Sequence, residues 1–160
     1  MTVDYIVSSL PGLQFDAPAP LTWERFAALC GEELPDLDHG AWKDLETQLK
    51  NAIACARGGE KFIRKVAGCS VYWKNRVVAA FAEKDIMKRE TMLDRVFWDA
   101  AEELTSVTSP LGRGALATYA IRLKIALRRG RISGENGIAA FNQAIENGTK
   151  MEFQKNRGEK

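Results

Sequence analysis

Residues 89–105 read RETMLDRVFWDAAEELT and residues 115–130 read ALATYAIRLKIALRRG, with Thr108-Ser109-Pro110 between them. In the first run Met92, Leu93, Val96, Phe97, Ala100, Ala101 and Leu104 recur at the spacing of one helix face. In the second, Leu116, Tyr119, Ala120, Leu123 and Leu127 trace a similar stripe. The first helix is expected to end near Thr105, because Thr105, Val107 and Thr108 are poor helix formers and precede Pro110. The second is expected from about Gly112 to Arg129. Its last turn holds Arg128 and Arg129, which suit the negative end of the helix dipole, and Gly130 reads as its stop. A further helix is predicted from Ser133, with Ile138, Phe141 and Ile145 at helical spacing and Gly148 ending it.

Upstream the pattern is also helical. Thr22 is a good N-cap, and Trp23, Phe26, Ala27 and Cys30 then share one face before Gly31. Trp42, Leu45, Leu49, Ile53 and Ala56 mark a helix from about Asp38 to Arg57, stopped by Gly58-Gly59. Residues 60–69 read as a short basic turn or helix. Ser70 is a candidate cap for a helix whose apolar face is Val71, Val78, Phe81 and Ala82, and a break near Lys84-Asp85 makes Asp85 the next cap. Residues 3–10 are apolar and rich in β-branched side chains, which suits a strand. No convincing partner strand exists, and a short helix ended by Pro11-Gly12 is the preferred reading. The expected fold is an all-α single domain, a bundle of about six helices with a short N-terminal apolar segment. It covers residues 1–148 and leaves 149–160 as a polar tail.

The charge balance is 23 cations against 21 carboxylates, a net +2, too small to imply nucleic-acid or membrane binding by itself. The start lacks the basic region of a signal peptide, and no window reaches the length of a membrane span, so a cytoplasmic protein is expected. Cys30, Cys55 and Cys69 are irregularly spaced and read as reduced thiols, with Cys30 and Cys55 among small and apolar neighbours. With a single histidine, His39, there is little material for a zinc site or a catalytic triad. The glycine pairs follow no strand and carry no Gly-Lys-Ser/Thr, so no phosphate cradle and no cofactor are expected.

Two charged groupings remain. Glu90 and Asp94 lie four apart on one helix, with Glu102 and Glu103 further along it, among Lys88, Arg89 and Arg95. Basic residues at that density read as ion pairing rather than acid–base chemistry. Arg122 and Arg129 share one face of the next helix, and Lys124, Arg128 and Arg131 another. Such a helix suits a phosphate backbone, but no stacking aromatics or DNA-binding motif accompany it. The four tryptophans, Trp23, Trp42, Trp73 and Trp98, fall on helical patterns and read as core or edge packing, with one or two as interface anchors.

The order of these phrases resembles an uncharacterised bacterial family encoded beside subunits of V-type rotary ATPases. The resemblance rests on Tyr5 and Ser9-Leu10-Pro11, on Asp94-Arg95 with Trp98, and on Tyr119-Ala120 with Leu123-Lys124. It touches both ends of the chain and is weak over Gly58–Ser70, and the chain is shorter than that family's pattern leads one to expect. The family is distantly similar to the C-type (in eukaryotes d-type) adapter of the central stalk, an all-helical part that seats the rotor shaft on the membrane ring. The resemblance implies a non-enzymatic subunit or assembly factor, with rotor or central-stalk subunits as partners and membrane contact only through them. The candidate interface is then Glu90, Asp94, Arg95, Trp98, Tyr119, Arg122, Lys124 and Arg128. The alternative is a basic helical module for nucleic acid or for general protein interaction.

Overall fold

Side-chain caps start three of the helices. Thr22 accepts from the Arg25 N–H at 3.3 Å, Ser70 from that of Trp73 at 3.4 Å, and Asp85 from that of Lys88 at 3.0 Å. Each satisfies a backbone donor that has no partner inside its helix. The computed structural model describes residues 1–133, 139 and 142–147. Its helices are α1 Val3–Ser9, α2 Trp23–Cys30, α3 Ala41–Ala56, α4 Val71–Phe81, α5 Ile86–Ala100 and α6 Arg113–Ser133. Short 3-10 turns follow α2 and α5 and lie between α3 and α4. The fold is an all-α domain, and the N-terminal apolar segment is a helix with Ile6 buried.

α6 is the axis of the molecule. Leu116, Ala120 and Leu123 pack with Ile6 of α1 and Phe26 of α2. Ile121 joins Trp42, Leu49, Val77 and Val96, the core shared by α3, α4 and α5. Ala126 meets Phe15 and Trp98 on a third side. A helix that packs on three sides buries more than one stripe, so its single predicted stripe is too narrow: Thr118, Ile121 and Ala126 are buried as well.

Five local expectations are corrected. α3 begins at Ala41 rather than Asp38, because the Asp36 carboxylate accepts from the Asp38 N–H at 2.9 Å and bends residues 36–39 into a turn. The stripe of α3 takes Ala52 and leaves Ala56 exposed. The buried face of α4 is Trp73, Val77 and Ala80, whereas Val71, Val78 and Ala82 face outward. Cys55 is exposed, unlike Cys30. Gly130 does not stop α6: it lacks the left-handed conformation of a helix terminator, and α6 runs through it to Ser133. Residues 142–147 are helical, whereas Ile138, Phe141, Gly148 and the tail 149–160 lie outside the described residues.

Nothing lies within 4 Å of where a Cβ would stand at Gly130. Gly130→Ala is therefore expected to raise stability by about 0.5–1 kcal/mol, the usual helix-interior gain, read as a higher urea midpoint.

Candidate docking site

Asp94 leaves α5 as a buried carboxylate, and two consecutive arginines of α6 meet it. Arg128 pairs with one of its oxygens, and Arg129 stands 3.9 Å from the other. Arg129 also reaches Asp16 at 3.5 Å and lies 4.0 Å from the centre of the Phe15 ring. Arg95 comes to 4.9 Å of the same ring, and Trp98 meets it edge-on at 5.4 Å. The segment after Pro11 is thus clasped to α5 and α6 by guanidinium–ring contacts as well as by ion pairs.

Other charged residues of α5 and α6 are engaged in the same way. Arg122 donates to the Trp98 carbonyl at 3.1 Å and to Glu102 at 2.7 Å. Asp99 accepts from Arg76 at 2.8 Å and lies 3.2 Å from Arg95. Glu90 stands 3.6 Å from Arg57, and Glu103 accepts from the Trp73 indole N–H. All four carboxylates considered for acid–base work therefore hold structural partners. No group of three or more potential metal ligands lies together among the described residues. His39 is an exposed loop residue whose bond to Asp36 holds that carboxyl below its ordinary range.

The eight candidate interface residues separate into three kinds. Asp94 and Trp98 are buried within this chain, and Asp94 reaches solvent only at the floor of grooves. Tyr119 and Arg122 are half-buried pins. The Tyr119 hydroxyl donates to the Pro11 carbonyl at 2.9 Å, and its ring stacks on Phe26 at 5.6 Å. Glu90, Arg95, Lys124 and Arg128 reach solvent to differing degrees, with Lys124 lying over the Trp23 ring at 4.6 Å. Arg122, Arg128 and Arg129 are each matched by a carboxylate, so the basic series is not a continuous unpaired stripe. Phe15, Asp16 and Arg57 belong to the site but carry no sequence signal, because they sit in loops where periodicity has no meaning.

Three grooves meet at the Asp94–Arg128 pair, which lines each of them. One of about 520 Å³ lies between Phe15–Pro18, the start of α5 and the end of α6. One of about 600 Å³ lies between the end of α3, Phe62 and α5. One of about 290 Å³ lies between Leu37, Trp42 and α6. The arrangement is an ion-paired partition with open grooves around it.

Burial pushes the Tyr119 phenol up to about 12. The folded state therefore holds this proton more tightly than the unfolded chain, whose tyrosine ionises near pH ~10. Stability from this group is intact below pH ~10 and falls as pH rises toward ~12. Ultraviolet titration should show a phenolate step near pH ~12 that disappears in Tyr119→Phe. Its persistence in that variant would assign the step elsewhere.

No family model, curated protein or solved structure matches this chain. No helix among the described residues is long and apolar enough to cross a membrane.

Proposed function

We propose that this chain is a non-enzymatic helical subunit or assembly factor of a bacterial V-type rotary ATPase, acting like the central-stalk adapter between rotor shaft and membrane ring. One observation carries the reading. Several residues on which the resemblance rests, far apart in sequence, are engaged in long-range contacts: Tyr119 holds Pro11, Arg128 pairs with Asp94, and Phe15 meets Trp98 and Arg95, whereas Tyr5 is exposed. An adapter needs a well-packed helical body with grooved docking faces, and the ion-paired α5–α6 partition with its three grooves is compatible with that need. The partners are rotor or central-stalk subunits, and the chain would work in the cytoplasm, reaching the membrane through them.

A tagged pull-down from the host, with bound proteins identified by mass spectrometry, tests this. Co-purification of shaft and ring subunits in fixed ratio is the expected result, and Arg95→Glu with Lys124→Glu should reduce it. Recovery of nucleic acid without any ATPase subunit would overturn the reading in favour of the basic-helix alternative. Strong salt dependence of that binding would then be expected.

A further inference from the structure

The outward face of α4 has no partner among the described residues. Val71 and Val78 are 66% and 52% exposed, and Ala79 and Ala82 lie beside them, while Trp73, Val77 and Ala80 on the other face form the core with α3 and α5. Val71, Asn75, Val78 and Ala82 follow at steps of four, three and four, the spacing of the seam along which one helix packs on another. The stripe lacks the Trp, Phe and Leu side chains with which interfacial helices enter a lipid surface. The two alanines leave room for a close helix approach, and a single Asn within such a seam specifies register.

Charge selects the occupant. Between Arg57 and Ala82 the only carboxylate is Glu60. Arg57 and Arg76 are matched by Glu90 and Asp99 on α5. Lys61, Arg64, Lys65 and Lys74 have no carboxylate partner among the described residues. Asn51 holds the Arg64 backbone on both sides, at 2.7 and 2.9 Å, and Gln48 holds the Ser70 N–H at 2.9 Å. The loop is thereby fixed along α3 and ends at Ser70, the cap of α4, whose N-terminus is the positive end of that helix. A second copy of this chain would bring like charges together. We propose that the outer face of α4 docks an acidic amphipathic helix of a partner protein. This deepens the reading of the chain as a docking component but does not depend on which complex it joins.

The test uses the full chain and two labelled synthetic amphipathic helices, both with leucine along the seam, one flanked by glutamate and the other by lysine, compared by fluorescence anisotropy. The glutamate helix is expected to bind and the lysine helix to fail. Val78→Asp, at an exposed position where folding should survive and circular dichroism can verify it, should weaken binding by about tenfold or more. Lys74→Glu should weaken it several-fold, and added salt should weaken it further. Equal binding of both helices, binding of neither, or binding unaffected by Val78→Asp would overturn the proposal. So would Val78-dependent sedimentation with phosphatidylglycerol vesicles in place of peptide binding, or Val78-dependent self-association. A pull-down lacking ATPase subunits would leave these results standing, so the two readings fail separately.

Discussion

Gly114→Ala should destabilise the protein by about 3 kcal/mol, even though alanine is the better helix former. A Cβ at position 114 would stand 1.8 Å from the Leu104 carbonyl oxygen and 2.8 Å from its carbon. Both are backbone atoms, which cannot rotate away as a side chain could. The approach is close because α6 docks on the 3-10 turn Ala101–Leu104 through a hydrogen-bonded contact. One turn beyond Gly114, the buried Thr118 hydroxyl donates to the Ala101 carbonyl at 2.7 Å and lies 3.1 Å from the Thr105 hydroxyl. Making room for a methyl group would lift α6 off this seat and strain Thr118 with it. Gly130→Ala in the same helix meets open space and should act in the opposite direction. Urea unfolding of the two variants side by side is the measurement. If both midpoints moved up, the close approach at Leu104 would be wrong.

The parts of the fold legible in sequence are those set by local chemistry. Asp85 reads as a cap because a short acceptor side chain precedes a long apolar stripe, and α5 begins there. α4 is misphased in sequence because it is apolar on both sides. Val71 and Val78 make as good a stripe as Trp73 and Val77, and only packing against α3 and α5 chooses between them. That ambiguity is itself informative, since the stripe that lost is the bare face now assigned to a partner. Gly130 shows the converse: glycine permits a stop without requiring one, and the rest of α6 carries the helix through.

Of the candidate site the sequence singles out residues on α5 and α6 such as Asp94, Trp98 and Arg128, but not the geometry that joins them to Phe15, Asp16 and Arg57. Asp94 reads as an ion-paired helix residue and Trp98 as core or edge packing, and the resemblance puts both in a candidate interface, because spacing places a residue on a helix face without saying what covers that face. What covers them comes from distant positions: Arg128 for Asp94, and Phe15 for Trp98. Tyr119 bonds the Pro11 carbonyl, which is 108 residues away. Contacts of this kind arise from tertiary packing, and a single sequence holds no period or cap that announces them.

Arg128→Met is the second substitution with a large expected effect. It removes the principal partner of a carboxylate whose side chain is only 7% exposed. Breaking a wholly buried pair costs about 3–5 kcal/mol, because the remaining charge stays desolvated. Arg128 keeps 53% of its side-chain surface in water, and Arg129 still stands 3.9 Å from Asp94. The expected loss is therefore smaller, about 2–3 kcal/mol. Asp94→Asn in the same background removes the stranded charge and should restore much of the loss, whereas independent sites would give additive losses. A double-mutant cycle by urea denaturation measures this coupling. Additivity of the two substitutions would show that Arg128 does not neutralise Asp94 in solution. The joint at which the three grooves meet would then lose its electrostatic basis. A coupling in the expected direction would leave an ion pair that stiffens the floor of all three grooves, so that Arg128 substitutions alter docking through stability as well as through surface charge.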